Sequence, residues 1–110
     1  MGLFRRRGPS AAQNRAQRRA EFDEVARHLS EFVRTRRGVE AYLEPPTTMT
    51  PPTVLLVAST GEWTRRRIPD LDVVHGLAEE LHVPVYDARL VGYPQRMRDW
   101  TSRMRREGGA

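Results

Sequence analysis

Four side chains able to hold a metal or move a proton recur along one stretch: Asp72, His75, Glu79 and His82. On a helix these positions occupy an arc of about 80°. His75 and Glu79, one turn apart, could chelate weakly. One helix face sets its ligands in a row, however, whereas zinc wants them converging tetrahedrally. The same spacing describes a solvated face opposite Leu77 and Leu81, so no metal is expected. His28 flanks an apolar stripe and reads as a boundary residue. Ser30 and Ser59 lack the G-x-S-x-G setting of a nucleophile, and Ser59 sits among turn formers. Gly38, Gly61 and Gly92 stand alone, so there is no dinucleotide fingerprint and no P-loop. No catalytic residue is assigned and no cofactor is expected.

Anion contact is the remaining chemistry. Trp63, Arg65 and Arg67 alternate along one expected strand and so share a face. An aromatic ring with two guanidiniums on an open sheet could stack a base and hold phosphate. If Thr60-Gly61 is a two-residue hairpin loop, Ala58 opposes Trp63, Leu56 opposes Arg65 and Val54 opposes Arg67. Arg96 and Arg98 extend the candidate set, with Arg5–Arg7 and the arginines up to Arg106 adding phosphate neutralisation. The competing reading covers Trp63 with Tyr93, Met97 and Trp100 and leaves the Arg heads in water.

The chain has 110 residues, 19 basic against 14 acidic, and every basic one is arginine. Guanidinium suits anion recognition, but uniform use of arginine is also what codon bias in a GC-rich genome produces. The charge is uneven: residues 1–37 carry +6, residues 38–94 carry −4 and residues 95–110 carry +3. The middle is therefore acidic and the ends basic. There is no cysteine, which removes disulfides, thiolate metal sites and thiol chemistry and fits a cytoplasmic location. No apolar run approaches the length of a membrane span. The basic start lacks an apolar core for a signal peptide, and Arg6 stands where a myristoylation motif needs Ser or Thr. Arginine-rich segments attract anionic lipid, yet the stripe from Phe22 to Val33 is better used closing so small a core.

The elements that would position these residues follow from periodicity. An Arg-rich tail is expected over 1–14. Ser10 and Gln13 can form a capping box, with fraying able to delay the stable helix to about Arg18. Phe22, Val25, Ala26, Leu29, Phe32 and Val33 then form one apolar stripe, and Gly38 stops the helix. Strands follow at Val39–Glu44, at Thr53–Ala58 (apolar on both faces, hence central) and at Trp63–Ile68. Four prolines in 45–52 stiffen the first loop. Asp70 caps a second helix that runs to about His82 and buries Leu71, Val74, Leu77, Ala78 and Leu81. Val83–Tyr86 is a short parallel strand, at an edge because of Pro84. Pro94 starts a last helix on which Met97, Trp100 and Met104 share a face. Together these predict a single α+β domain over 15–104, in the order α-β-β-β-α-β-α. Its sheet is mostly antiparallel with helices packed on one face, and a second tail occupies 105–110.

Three stretches, RAEFDEVARHLSEFVRTRRGVEAY, GEWTRRR and VPVYDARLVGYPQRMRDW, resemble a family of small uncharacterised proteins from GC-rich Gram-positive bacteria. The similarity covers about Arg19 to Trp100. Some members carry an oxidoreductase label that connects to no motif here, and the resemblance implies no functional residue. The element order also invites comparison with double-stranded-RNA-binding domains. Their second helix opens with basic residues, whereas here it opens Pro-Asp-Leu-Asp. The expected function is that of a small non-enzymatic protein-interaction or accessory module, with an unknown protein partner and with helix one able to serve a homodimer. The alternative is RNA or ribosome association through the Arg-rich ends and the Trp63/Arg65/Arg67 face. A third reading, oxidoreductase, rests on the family label alone.

Overall fold

Ser10 supplies the first fixed point of the chain. Its side chain accepts the Gln13 backbone N–H, and the Gln13 side chain accepts the Ser10 N–H, satisfying two otherwise orphaned donors. From this capping box α1 runs unbroken over Ala11–Thr35. A computed structural model describes residues 10–108. The expected tails fall partly inside it, and there both are helical. Residues 10–14 belong to the capped start of α1, and the last helix continues past 105 to Gly108, its final turn carrying Arg105 and Arg106 where cations suit the helix dipole. Arg5–Arg7 lie outside the described residues.

The chain folds as one small α+β domain around a four-stranded sheet. The strands are β1 (Glu40–Glu44), β2 (Thr53–Val57), β3 (Trp63–Arg67) and β4 (Val85–Asp87), in spatial order β3-β2-β1-β4. β2 is antiparallel to both neighbours, and the edge strand β4 lies parallel to β1. α2 (Leu71–Leu81) connects β3 to β4, capped by the Asp70 carboxylate on the Val73 N–H at 3.2 Å.

Alternation divides the core into two layers. Ala41, Leu43, Val54 and Leu56 face α1 and α2, meeting Val25, Leu29, Phe32 and Val74. Tyr42, Leu55 and Val57 face the opposite way. So α1 and α2 share one face, as the sequence predicts. The other face receives a partial cover from the C-terminal segment. That segment has an additional short helix, α3 (Ala88–Val91), whose Asp87 cap bonds the Arg89 N–H, followed by α4 (Gln95–Gly108).

One apolar position of α1 departs from expectation. Phe22 is 38% exposed, and the buried part of α1 starts at Val25. Every described residue from Ser10 to Glu24 is exposed. The exposed stretch of α1, the overhang, is 14 residues, or about 21 Å at 1.5 Å per residue, and its Glu21 and Glu24 still border the end of β3.

Candidate functional site

The β2–β3 turn decides where the candidate arginines point. It holds three residues, Ser59-Thr60-Gly61, one more than expected: Gly61 N donates to Ala58 O at 2.9 Å, and Ala58 N to Glu62 O at 2.8 Å. Gly61 has φ +93°, the left-handed residue that ends such a loop. The register therefore shifts by one. Ala58 pairs with Glu62, and Val57, Leu55 and Thr53 lie opposite Trp63, Arg65 and Arg67. A one-residue slip exchanges faces. Trp63, Arg65 and Arg67 thus sit on the side away from α1, under the C-terminal segment.

There they are differently engaged. The Trp63 indole packs, as do Tyr93 and Met97, against the buried cluster of Tyr42, Leu55, Val57 and Ala88, and donates to Thr101 Oγ1 at 2.8 Å. Arg65 makes a two-pronged bond to Glu44, Nε to Oε1 at 2.8 Å and Nη2 to Oε2 at 3.2 Å, with its guanidinium 5.4 Å from the Trp63 ring centre. Arg67 is exposed and makes no side-chain hydrogen bond or ion pair among the described residues. Arg96 bonds Glu40 at 2.5 Å and the Ala58 carbonyl at 2.9 Å, pinning α4 to the sheet. Arg98 bonds only its own helix, at Gln95.

Glu44 is a node joining four segments. Its carboxylate accepts from Thr53 Oγ1 at 2.6 Å, from Arg65 and from the Tyr93 hydroxyl. Burial pushes its pKa up, but the bonds from Thr53, Tyr93 and Arg65 outweigh it and hold the carboxyl below its ordinary 4.5. Glu40 follows the same balance, its burial outweighed by bonds from Arg96 and Tyr42. Glu62 is lowered chiefly by its hydrogen bond from Arg36. Depressed carboxylates contribute stability that is complete above pH 4.5 and lost as the pH falls through their folded values. Glu44→Gln should therefore lower the melting temperature at pH 7. The gap from wild type should narrow as the pH drops below about 4.5; a constant gap down to pH 3 would contradict the ion-pair role.

Beside this node lies a groove of about 630 Å³, walled by Pro45, Thr47, Thr50, Arg65, Arg67 and Arg89. Three guanidiniums meet there, but Arg65 is committed to Glu44 and Arg89 to Asp87 at 3.1 Å. Arg67 is left to meet an incoming anion. The exposed arginines on β3 have a second effect: β3 is a sheet edge, and charge there discourages pairing with another sheet.

The helical row Asp72, His75, Glu79 and His82 is exposed throughout, and His82 adopts the left-handed conformation that ends α2. No three His, Asp or Glu side chains among the described residues come together as a metal site. His28 bonds Thr64 Oγ1 at 2.9 Å across to β3; burial, then Arg66, lowers its pKa. Among the described residues no helix is long and apolar enough to cross a membrane.

The feature that residue motifs miss is the overhang itself. Arg15, Arg18 and Arg19 lie on it, exposed, with no acid from Ser10 to Ala20. The sequence signal is the mismatch between a helix capped at Ser10 and an apolar stripe that starts only at Phe22. No family model matches the chain, and comparison with curated proteins and with solved structures finds no similar one.

Proposed function

We propose that the chain is a non-enzymatic accessory module: a small scaffold that holds out to a partner a solvated helix whose first half, Ser10 to Ala20, is basic and whose Glu21, Asp23 and Glu24 balance that charge. The carrying observation is the division of α1, anchored through Val25, Leu29 and Phe32 and exposed from Ser10 to Glu24. Ordering a helix costs about 1–2 kcal/mol per residue in backbone entropy, and the overhang has only the partly covered Phe22, 38% exposed, to offset it. Its order rests on the cap, on helix-favouring Ala, Gln and Arg and on continuity with the anchored half. The acids whose pKa values are lowered support the same reading. Glu40, Glu44 and Glu62 are consumed in tying elements together, and no buried side-chain polar atom among the described residues is left without a partner.

The RNA reading based on the Trp63 face is the weaker form. It needs Trp63 uncovered and Arg65 released from Glu44, whereas the overhang needs no rearrangement.

Affinity capture from native lysate tests the module. Wild type should retain a companion that Arg15→Ala/Arg18→Ala/Arg19→Ala loses, with equal melting temperatures because the three side chains are exposed. Equal capture by both proteins would overturn the proposal.

A further inference from the structure

The overhang has a chemistry of its own, and it narrows the partner. Taking 100° per residue, Arg15, Arg18 and Arg19 fall within an arc of about 100°. Phe22, Leu29 and Val33 fall within the same arc farther along. Of the three buried anchors of α1 only Leu29 lies in that arc; Val25 and Phe32 lie about 20–40° to one side, so the guanidinium row is turned partly away from the core-facing side. Glu21, Asp23 and Glu24 point outside that arc. At the end of β3, Arg66, on the face toward α1, lines a groove of about 520 Å³ together with Glu21, Glu24 and Val25 of α1.

Two classes of partner fit poorly. A helix docking in a protein groove needs large apolar anchors at i, i+3, i+4 and i+7; apart from alanines the overhang offers a single one, Phe22. A helix lying on lipid needs Trp, Phe or Leu opposite its basic face, and the side opposite Arg15 and Arg18 carries Gln13, Ala16, Gln17 and Ala20. What remains is a polyanion with a groove that admits a helix exposed on all sides. The major groove of B-form DNA, about 12 Å wide, does so; that of A-form RNA is too narrow. Alanines keep the overhang slim, and Asn14 and Gln17 carry the amide groups that pair with adenine edges.

The geometry points to the major groove of duplex DNA as the site of the α1 overhang, with Arg15, Arg18 and Arg19 on phosphates and Arg66 meeting the flanking backbone. This rests on the module reading above.

The test is fluorescence anisotropy of the full chain with a labelled 20-base-pair DNA duplex and a matched RNA duplex, at 50 and 200 mM salt. DNA binding should be saturable and tighter than RNA binding. Three phosphate contacts alone predict a loss of roughly 40-fold between the two salt concentrations. Arg15→Ala/Arg18→Ala/Arg19→Ala should remove that part of the salt dependence, and the triple Arg→Lys variant should keep it. Equal affinity for the RNA duplex, or DNA binding that ignores the alanine variant, would overturn the assignment. A nuclease-resistant protein companion released by the same variant would also overturn it while leaving the module reading intact.

Discussion

Gly61→Ala should destabilise the domain by roughly 2–4 kcal/mol and loosen α4 from the sheet. A Cβ at this position would stand 2.0 Å from the Arg96 carbonyl oxygen, 2.7 Å from its carbon and 2.8 Å from Trp100 Cβ. Backbone cannot swing aside as a long side chain can, so α4 must move. Overpacking of this kind costs about 1–3 kcal/mol, and the positive φ adds about 1–2 kcal/mol for any L side chain. A moving α4 carries Thr101 away from the Trp63 indole and Arg96 away from Ala58 and Glu40. Urea unfolding should show the loss, and the native tryptophan emission should shift to the red. Gly92 also has positive φ, but with open space around it; Gly92→Ala should leave the emission in place. A change below 0.5 kcal/mol with unaltered emission for Gly61→Ala would show that α4 does not rest on the hairpin.

Leu29→Ala should cost about 2–5 kcal/mol. Leu29 is 3% exposed and faces Ala41, Leu56, Val74 and Ala78, where α1 and α2 meet the sheet. These residues already border an apolar gap of about 20 Å³. A lining that leaves a gap in the native protein has little freedom to close over a larger one, which places the loss in the upper half of the range. In a domain of this size 3 kcal/mol corresponds to a fall of roughly 12–24 °C in melting temperature. A loss under 1 kcal/mol would mean that α1 is not anchored to the sheet at all.

The fold was legible because its main signals are local. The stripe from Val25 to Val33, the Asp70 cap, the alternation of Ala41 and Leu43 against Tyr42, and Pro84 at the edge each report their element from neighbouring residues. The hairpin register was not legible, for a physical reason. β2 is apolar on both faces, and β3 reads Trp-Thr-Arg-Arg-Arg, so neither strand carries the contrast that makes a slip visible. Ser-Thr-Gly accommodates loops of two or three residues equally well. Alternation alone puts Trp63, Arg65 and Arg67 on one face, as the register has them, but says nothing of their partners. Glu44 is 21 residues from Arg65 and 49 from Tyr93, and Glu40 is 56 from Arg96. Two acids on a strand otherwise buried on both faces are a sign that cations must arrive; which ones is a matter of tertiary approach. The overhang is visible in the sequence as a capped helix longer than its apolar stripe, but only the structure shows that Ser10–Glu24 is exposed among the described residues.

Amide hydrogen exchange along α1 tests the division on which the functional account depends. Amides from Val25 to Thr35 should exchange only through global opening, whereas those from Gln13 to Arg19 should exchange far faster by local fraying. Uniform, slow exchange from Ala11 to Thr35 in the isolated protein would contradict it. That result would mean that the overhang is already covered, by a second copy or by the chain itself, and is not held out for a partner.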